Sequence, residues 1–137
     1  MTGWSEFSER RLAVITNWAF LGSFGLCFVI SGFRGADLLS GLSGFALFAA
    51  AFGVHVIVNQ IFDSRFSKGE VALGFVVFIV SVLSFVISWV ALPRFGAVNV
   101  TIGLSGFGLL FACFAFYMVA NHGVRGSIGM FDQIRNL

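Results

Sequence analysis

The chain has 137 residues, of which 58% are hydrophobic and only 10% are charged, and its mean hydropathy is +0.99. A soluble domain has about a quarter of its residues charged, so this composition excludes that class. The net charge of +2 is distributed over the flanks of apolar runs without forming a basic block, which argues against nucleic-acid binding. We therefore expect an integral membrane protein.

Four apolar runs are each long enough to cross about 30 Å of hydrocarbon, which takes about 20 helical residues. We place these predicted spans at residues 12–33, 38–62, 71–92 and 98–121, and none of them contains Asp, Glu, Lys or Arg. The connecting segments are short, so the sequence predicts a single membrane domain over residues 1–137. The expected fold is an all-α bundle of four transmembrane helices.

Basic residues predict the orientation of these spans. Six of them belong to the side that holds both termini: Arg10, Arg11, Arg65, Lys68, Arg125 and Arg135. Only Arg34 and Arg94 belong to the other side, so the positive-inside rule predicts cytoplasmic termini, in what we expect to be a bacterial inner membrane. The first run lacks a small-residue cleavage pattern and is predicted to be a retained span. Residues 2–11 and the segment after the fourth span are predicted to be either short interfacial helices or contact arms for a partner.

Two parts of the chain repeat each other. Residues 41–60 and 103–122 both begin with GLSGF and share nine identities in twenty, and FVIS occurs at 28–31 and again at 85–88. This order favours duplication of a helical hairpin, with repeat 1 at about 12–62 and repeat 2 at about 71–121, although chance similarity among common apolar letters is the alternative. A duplicated pair of spans keeps its orientation, so the two tandem hairpins are predicted to be related by an axis along the membrane normal.

Both repeats keep a face of small side chains, which we call the small-residue tracks. The tracks consist of Ser43, Ala46, Ala50 and Gly53 in the second span, and Ser105, Gly108, Ala112 and Ala115 in the fourth. The third span adds Ser81, Ser84 and Ser88, whose hydroxyls can bond to their own helix or to a neighbour. Small residues let helix backbones approach closely in lipid, so we predict that these residues pack the two halves together.

The opposite face of the second and fourth spans is aromatic and polar. Its members are Phe45, Phe48, Phe52, His55 and Asn59, matched in the second copy by Phe107, Leu110, Phe114, Tyr117 and Asn121. Two interpretations stay open: a lipid-facing surface whose polar ends reach the headgroups, or a contact surface for another membrane protein or a lipid-like ligand. Asn17 of the first span is a possible internal partner of His55, because both are expected at a similar depth.

The sequence contains no recognisable catalytic motif, and we expect no enzyme, no metal and no cofactor. His55 aligns with Tyr117, so His122 is predicted to lie five residues, or about 7 Å, closer to the cytoplasm than His55. This difference in depth disfavours a haem or metal held by both histidines. Paired membrane carboxylates, HExxH and CxxC are also absent from the sequence.

Three functional hypotheses follow. The preferred one is a non-catalytic accessory or structural subunit whose partners are membrane lipid and either other membrane-protein subunits or further copies of itself. The second is a small oligomeric channel or transporter that uses the serines of the third span. The third is a lipid- or quinone-associated redox or enzyme subunit.

Overall fold

The computed structural model describes residues 6–62, 68–93 and 95–135, with side chains described for 9–62, 68–93, 95–116 and 118–119. All regular elements within these ranges are helical: α1 (Glu6–Asn17), a π-helical segment (Trp18–Gly22), α2 (Ser23–Gly35), α3 (Leu38–Ile61), α4 (Lys68–Ala91) and α5 (Ala97–Arg135). In the described part of the chain, four helical stretches are long and apolar enough to span a membrane: Glu9–Gly35, Leu38–Ile61, Lys68–Ala91 and Ala97–Phe116. The predicted all-α bundle of four membrane helices is therefore confirmed.

The first and third spans begin earlier than the sequence predicts. The first starts at Glu9 and the third at Lys68, so Arg10 and Glu70 lie on membrane helices instead of in flanking segments. The first span is also interrupted by its π-helical segment, which lies between α1 and α2. Segments of this kind are rare and occur frequently at functional sites.

Helix α5 has 39 residues and continues past the predicted end of the fourth span at residue 121. At 1.5 Å per residue this is about 58 Å, almost twice the thickness of the hydrocarbon core. The backbone of the predicted C-terminal interfacial segment is therefore a continuation of the same helix, while its side chains lie outside the described residues. The predicted N-terminal segment, residues 2–11, is helical from Glu6 onward and continues into the first span without a break.

A two-residue turn connects α2 to α3. Ala36 adopts the left-handed conformation that commonly ends a helix, with φ of 49°, and its N–H bonds to the last carbonyls of α2. Asp37 then caps α3, accepting hydrogen bonds from the Ser40 hydroxyl at 2.7 Å and from the Leu39 N–H at 3.1 Å. The bond from Ser40 contributes most to holding the pKa of the Asp37 carboxyl below its usual value.

This turn brings glycines of α2 directly against glycines of α3. A Cβ added to Gly32 would lie 2.4 Å from the Cα of Gly41, and one added to Gly44 would lie 2.6 Å from the carbonyl oxygen of Gly25. Both distances are shorter than real Cβ contacts, so the two backbones pack without intervening side chains. Close approach of this kind is the usual means by which helices associate in lipid.

The repeated word GLSGF contributes both of its glycines to such contacts. Gly41 and Gly44 are buried in the first copy, and Gly103 and Gly106 are buried in the second. A Cβ on Gly106 would lie 2.3 Å from the ring of Phe45, so this glycine lets the aromatic ring of α3 lie on the backbone of α5. The first and fourth positions of the word thus face other helices of the bundle.

Helices α3 and α5 lie side by side and run in the same direction. The rings of Phe45 and Phe107 are 6.2 Å apart, and those of Phe52 and Phe114 are also 6.2 Å apart. The second pair follows the first by seven residues on both helices, which requires parallel chains. Each pair joins positions that are equivalent in the aligned repeat segments. The duplication itself stays a prediction.

The small-residue tracks do not pack the two halves of the chain together, and this prediction is wrong. Six of the eight members are exposed, and at two of these, Gly53 and Gly108, no atom lies within 4 Å of an added Cβ. The exposed members are Ala46, Ala50, Gly53, Ser105, Gly108 and Ala112, whereas Ser43 and Ala115 are half-buried. The glycines of GLSGF, displaced by about 100° around each helix, make the close contacts instead.

The three serines of α4 that were predicted to pack between helices are buried or half-buried. Ser81 and Ser88 are buried and Ser84 is half-buried. Their hydroxyls donate to the carbonyls of Val77, Ser84 and Val80 respectively, at 2.7 to 2.9 Å. These hydroxyls therefore bond to their own helix and not to a neighbouring helix, which were the two predicted alternatives.

Candidate functional site

The aromatic and polar face of α3 is covered by other helices of the same chain. Phe48, Phe52, His55 and Asn59 are all buried, so the prediction that they face lipid or a partner is wrong. The physical reason is that aromatic rings fill the interior between α3, α2 and α5, and the polar side chains of the same face are buried with them. Phe114 is half-buried against α4, and the side chains of Tyr117 and Asn121 lie outside the described residues.

Four of the buried or half-buried side chains form what we call the polar cluster: Arg10, His55, Asn59 and Glu70. The carboxylate of Glu70 lies at its centre and accepts from Arg10 Nη2 on one oxygen. The other oxygen, Oε2, lies 3.0 Å from His55 Nε2 and accepts from Asn59 Nδ2 at 3.2 Å. Arg10 Nε donates to Asn59 Oδ1 at 3.0 Å, which closes the arrangement. Three membrane helices, α1, α3 and α4, are joined in this way.

Helix geometry accounts for the assembly of the cluster. His55 and Asn59 are four residues apart and share one face of α3, while Glu70 belongs to the first turn of α4. His55 is only 1% exposed and Asn59 is 0% exposed. Burying ions away from water is costly unless they are paired and hydrogen-bonded, and here the positive Arg10 and the negative Glu70 compensate each other.

Trp18 determines which nitrogen of His55 carries the proton. The indole Nε1–H donates to His55 Nδ1 at 3.1 Å, so Nδ1 must be an acceptor. The hydrogen-bond network therefore assigns the proton to Nε2, which donates it to Glu70. Trp18 is the first residue of the π-helical segment, so the irregular turn of the first span lies beside the cluster.

Asn17 is not the partner of His55, contrary to the prediction. Its Nδ2 donates to the carbonyl oxygen of Ala51 at 2.9 Å, and its Oδ1 is buried without a hydrogen bond from the described residues. The next residue, Trp18, takes the position beside His55 instead. The partner of His55 on the first span is therefore one residue later in the chain than predicted, on a different side of the helix.

An apolar cavity of about 270 Å³ lies between α4 and α5, next to the polar cluster. Its lining consists of Phe52, Gly74, Phe75, Val77, Phe78, Leu110, Phe111 and Phe114. Phe52 precedes His55 by three residues and Gly74 follows Glu70 by four, so the cavity is about one helical turn deeper than the cluster. Apolar cavities of about 150 Å³ already admit a benzene ring, so this one has room for a lipophilic ring or chain.

Sequence reasoning missed three residues of this site: Arg10, Trp18 and Glu70. Both charged residues lie just outside the predicted spans 12–33 and 71–92, because a span predicted from an uncharged run ends at the first charge. The available signal was His55 and Asn59 on the same face as the phenylalanines, since buried polar groups require hydrogen-bonding partners. The nearest charged residues at the same end of the bundle are the natural partners for such groups.

No protein family model matches this chain, and neither a curated protein nor a solved structure matches it. A functional conclusion therefore depends on the surfaces and the site of this molecule. Ionisable groups at membrane depth mark functional sites by default, but the contacts of the polar cluster also serve a structural purpose. They neutralise the charges and fix three helices relative to each other.

Proposed function

We propose that this integral membrane protein is a non-catalytic subunit that packs laterally against other membrane helices, either in a larger assembly or as a homo-oligomer. We further propose a bacterial inner-membrane location with both termini in the cytoplasm, as the distribution of Lys and Arg predicts. The observation that carries the proposal is that the small-residue tracks of α3 and α5 face outward.

A helix that contacts only acyl chains has no need of small outward residues. The outer face of α4 shows the ordinary pattern, with Ile79, Leu83 and Val90 exposed. The corresponding faces of α3 and α5 carry Ala50, Gly53 and other small members of the tracks. Small residues permit the close backbone approach that associates helices in lipid, so these two faces suit contact with further helices.

The channel hypothesis receives less support. It requires polar groups along a pathway, but the hydroxyls of Ser81, Ser84 and Ser88 are already donated to carbonyls of α4. The ionic groups of the polar cluster are likewise bonded to one another. We therefore favour lateral assembly over solute passage.

Site-specific cysteine cross-linking in native membranes tests the proposal. The natural thiols, Cys27 and Cys113, are first replaced by alanine, because the former is exposed. Single cysteines are then introduced at Ala50 and Ala112 on the tracks, and at Val90 as a control that is 82% exposed on α4. We expect cross-linked species from the track positions and none from Val90. A product of twice the chain mass indicates a homo-oligomer, and other masses indicate a different subunit.

Gly53→Leu provides a matched perturbation. No atom lies within 4 Å of a Cβ at Gly53, so the larger side chain fits the isolated chain but blocks close approach of a second helix. We expect at least a tenfold loss of cross-linking at Ala50, whereas Ile79→Leu leaves it unchanged. A chain that stays monomeric in bilayer nanodiscs and yields no cross-link at either track would overturn the proposal.

A second candidate function is a lipid- or quinone-associated subunit, which the apolar cavity beside His55 and Glu70 favours. Organic extraction of the protein purified in mild detergent tests this candidate. For the wild type we expect about one lipophilic molecule per protein chain. The Val77→Phe variant should lack this molecule, because the larger side chain fills the cavity. Extracts that contain the same lipids as the bulk membrane, in the same proportions, would exclude it.

A further inference from the structure

A groove between α2 and α4 leads from the membrane interior to the ends of both helices. It has a volume of about 240 Å³ and is lined by Ile30 and Arg34 of α2, by Ser84, Ile87, Ser88 and Ala91 of α4, and by Leu92, which follows α4. The rise of a helix makes the α4 stretch from Ser84 to Ala91 about 10 Å long. The serine hydroxyls in it are donated to carbonyls of α4, so the wall presents mainly hydrocarbon.

Among the described residues, Arg34 is the only cation that lines this groove. It belongs to the last turn of α2, is exposed, and forms no hydrogen bond or ion pair with the described residues. The nearby carboxylate of Asp37 is engaged with the Leu39 N–H and the Ser40 hydroxyl. The guanidinium is therefore available to an anion from outside the chain.

Aromatic side chains indicate the depth at which Arg34 lies. Trp89 of α4 is 64% exposed, and its ring stacks on that of Phe95 with centroids 6.3 Å apart. Exposed tryptophans at helix ends are typical of the headgroup level of a bilayer. Trp89 lies in the chain between groove residues Ile87 and Ala91. The end of the groove near Ala91 is therefore at headgroup level, and the end near Ser84 is among acyl chains.

We propose that this groove binds an anionic phospholipid, with its phosphate on Arg34 and one acyl chain along α2 and α4. Arginine binds phosphate through paired hydrogen bonds, and basic pockets between membrane helices recognise anionic headgroups. A free phosphate ion would use Arg34 but not the apolar wall, whereas a phospholipid uses both. This site is separate from the small-residue tracks and is independent of lateral assembly.

Photolabelling of the full-length protein in phosphatidylcholine vesicles tests the proposal. The probes are phosphatidylglycerol and phosphatidylcholine that carry the same diazirine group in one acyl chain, and labelled peptides are identified by mass spectrometry. For the wild type we expect about fivefold more labelling of the groove by phosphatidylglycerol, the effect of one favourable charge at the membrane surface. Arg34→Gln should remove this preference and Arg34→Lys should retain most of it.

A pair of adjacent substitutions separates the groove from the outer surface. Ala91→Phe fills the groove and should lower labelling by both probes at least threefold, whereas Val90→Phe, at an 82% exposed position outside the lining, should leave labelling unchanged. Equal labelling by the two probes in the wild type, or equal effects of the two phenylalanines, would overturn the proposal. A protein cross-link from Ala91→Cys in native membranes would also overturn it, because a helix would then occupy the groove.

Discussion

The two ends of this bundle are held together by different interactions. At the end where α1 and α4 begin, Arg10, His55 and Glu70 join three helices through charged hydrogen bonds. At the other end, Gly32 and Gly41 bring two backbones into contact. Lipid supplies no hydrophobic force between helices, so other interactions must hold them together. The first end relies on polar hydrogen bonds and the second on close contact between backbones. The first end should be sensitive to changes of charge and the second to changes of volume.

The largest effect is expected when the polar cluster loses its carboxylate. Glu70→Ala leaves the Arg10 guanidinium without its negative partner. Water cannot readily replace that partner, because the Arg10 and Glu70 side chains are only 12% and 13% exposed. Breaking a buried ion pair in this way should lower the free energy of unfolding by about 3 kcal/mol. Denaturation of the protein in mixed micelles measures the change.

The double variant Arg10→Ala/Glu70→Ala is the control for this prediction. It removes both charges, so it should be more stable than Glu70→Ala alone. A double variant whose loss equals the sum of the two single losses would show that Arg10 and Glu70 are not energetically coupled. The ends of the bundle would then differ less than their contacts indicate.

A smaller effect is expected from added volume at the glycine contact. Gly32→Ala places a Cβ 2.4 Å from Gly41 Cα, so α2 and α3 must separate. Overpacking of this kind should cost about 2 kcal/mol in the same unfolding assay. Gly53→Ala is the matched control on α3, because its Cβ meets no atom within 4 Å and should change stability by less than about 0.5 kcal/mol. Equal losses for the two variants would refute a role for close approach.

The sequence was sufficient to predict the spans but not the faces of the helices. Long uncharged runs determine spans directly, since every residue of a run must tolerate hydrocarbon. The faces of α3 are less distinct, because Phe48 on the inner face and Ala50 on the outer face are both compatible with lipid. In a soluble protein, polarity would have separated the two faces, but here the outer face is apolar as well.

The polar cluster shows a second reason why prediction was incomplete. The sequence indicated that His55 and Asn59 share a helix face and that polar groups in a span seek partners. The identity of those partners depends on tertiary contacts across three helices and on the start of α4 at Lys68. The π-helical segment, which places Trp18 beside His55, has no recognisable signal in the apolar letters around it.

The smallest effect is expected for the one long-range side-chain bond described at the glycine end. Asn99 Nδ2 donates to the carbonyl oxygen of Phe33 at 2.6 Å, and both residues are buried. Bonds between neutral groups in membrane interiors are worth about 0.6 kcal/mol on average, so Asn99→Ala should cost about 1 kcal/mol at most. Thr101→Ala is its control, because the exposed Thr101 hydroxyl donates only to its own helix. If Asn99→Ala proved as damaging as Glu70→Ala, polar bonding would dominate both ends, and close glycine contact would be a consequence of that bonding instead of an alternative to it.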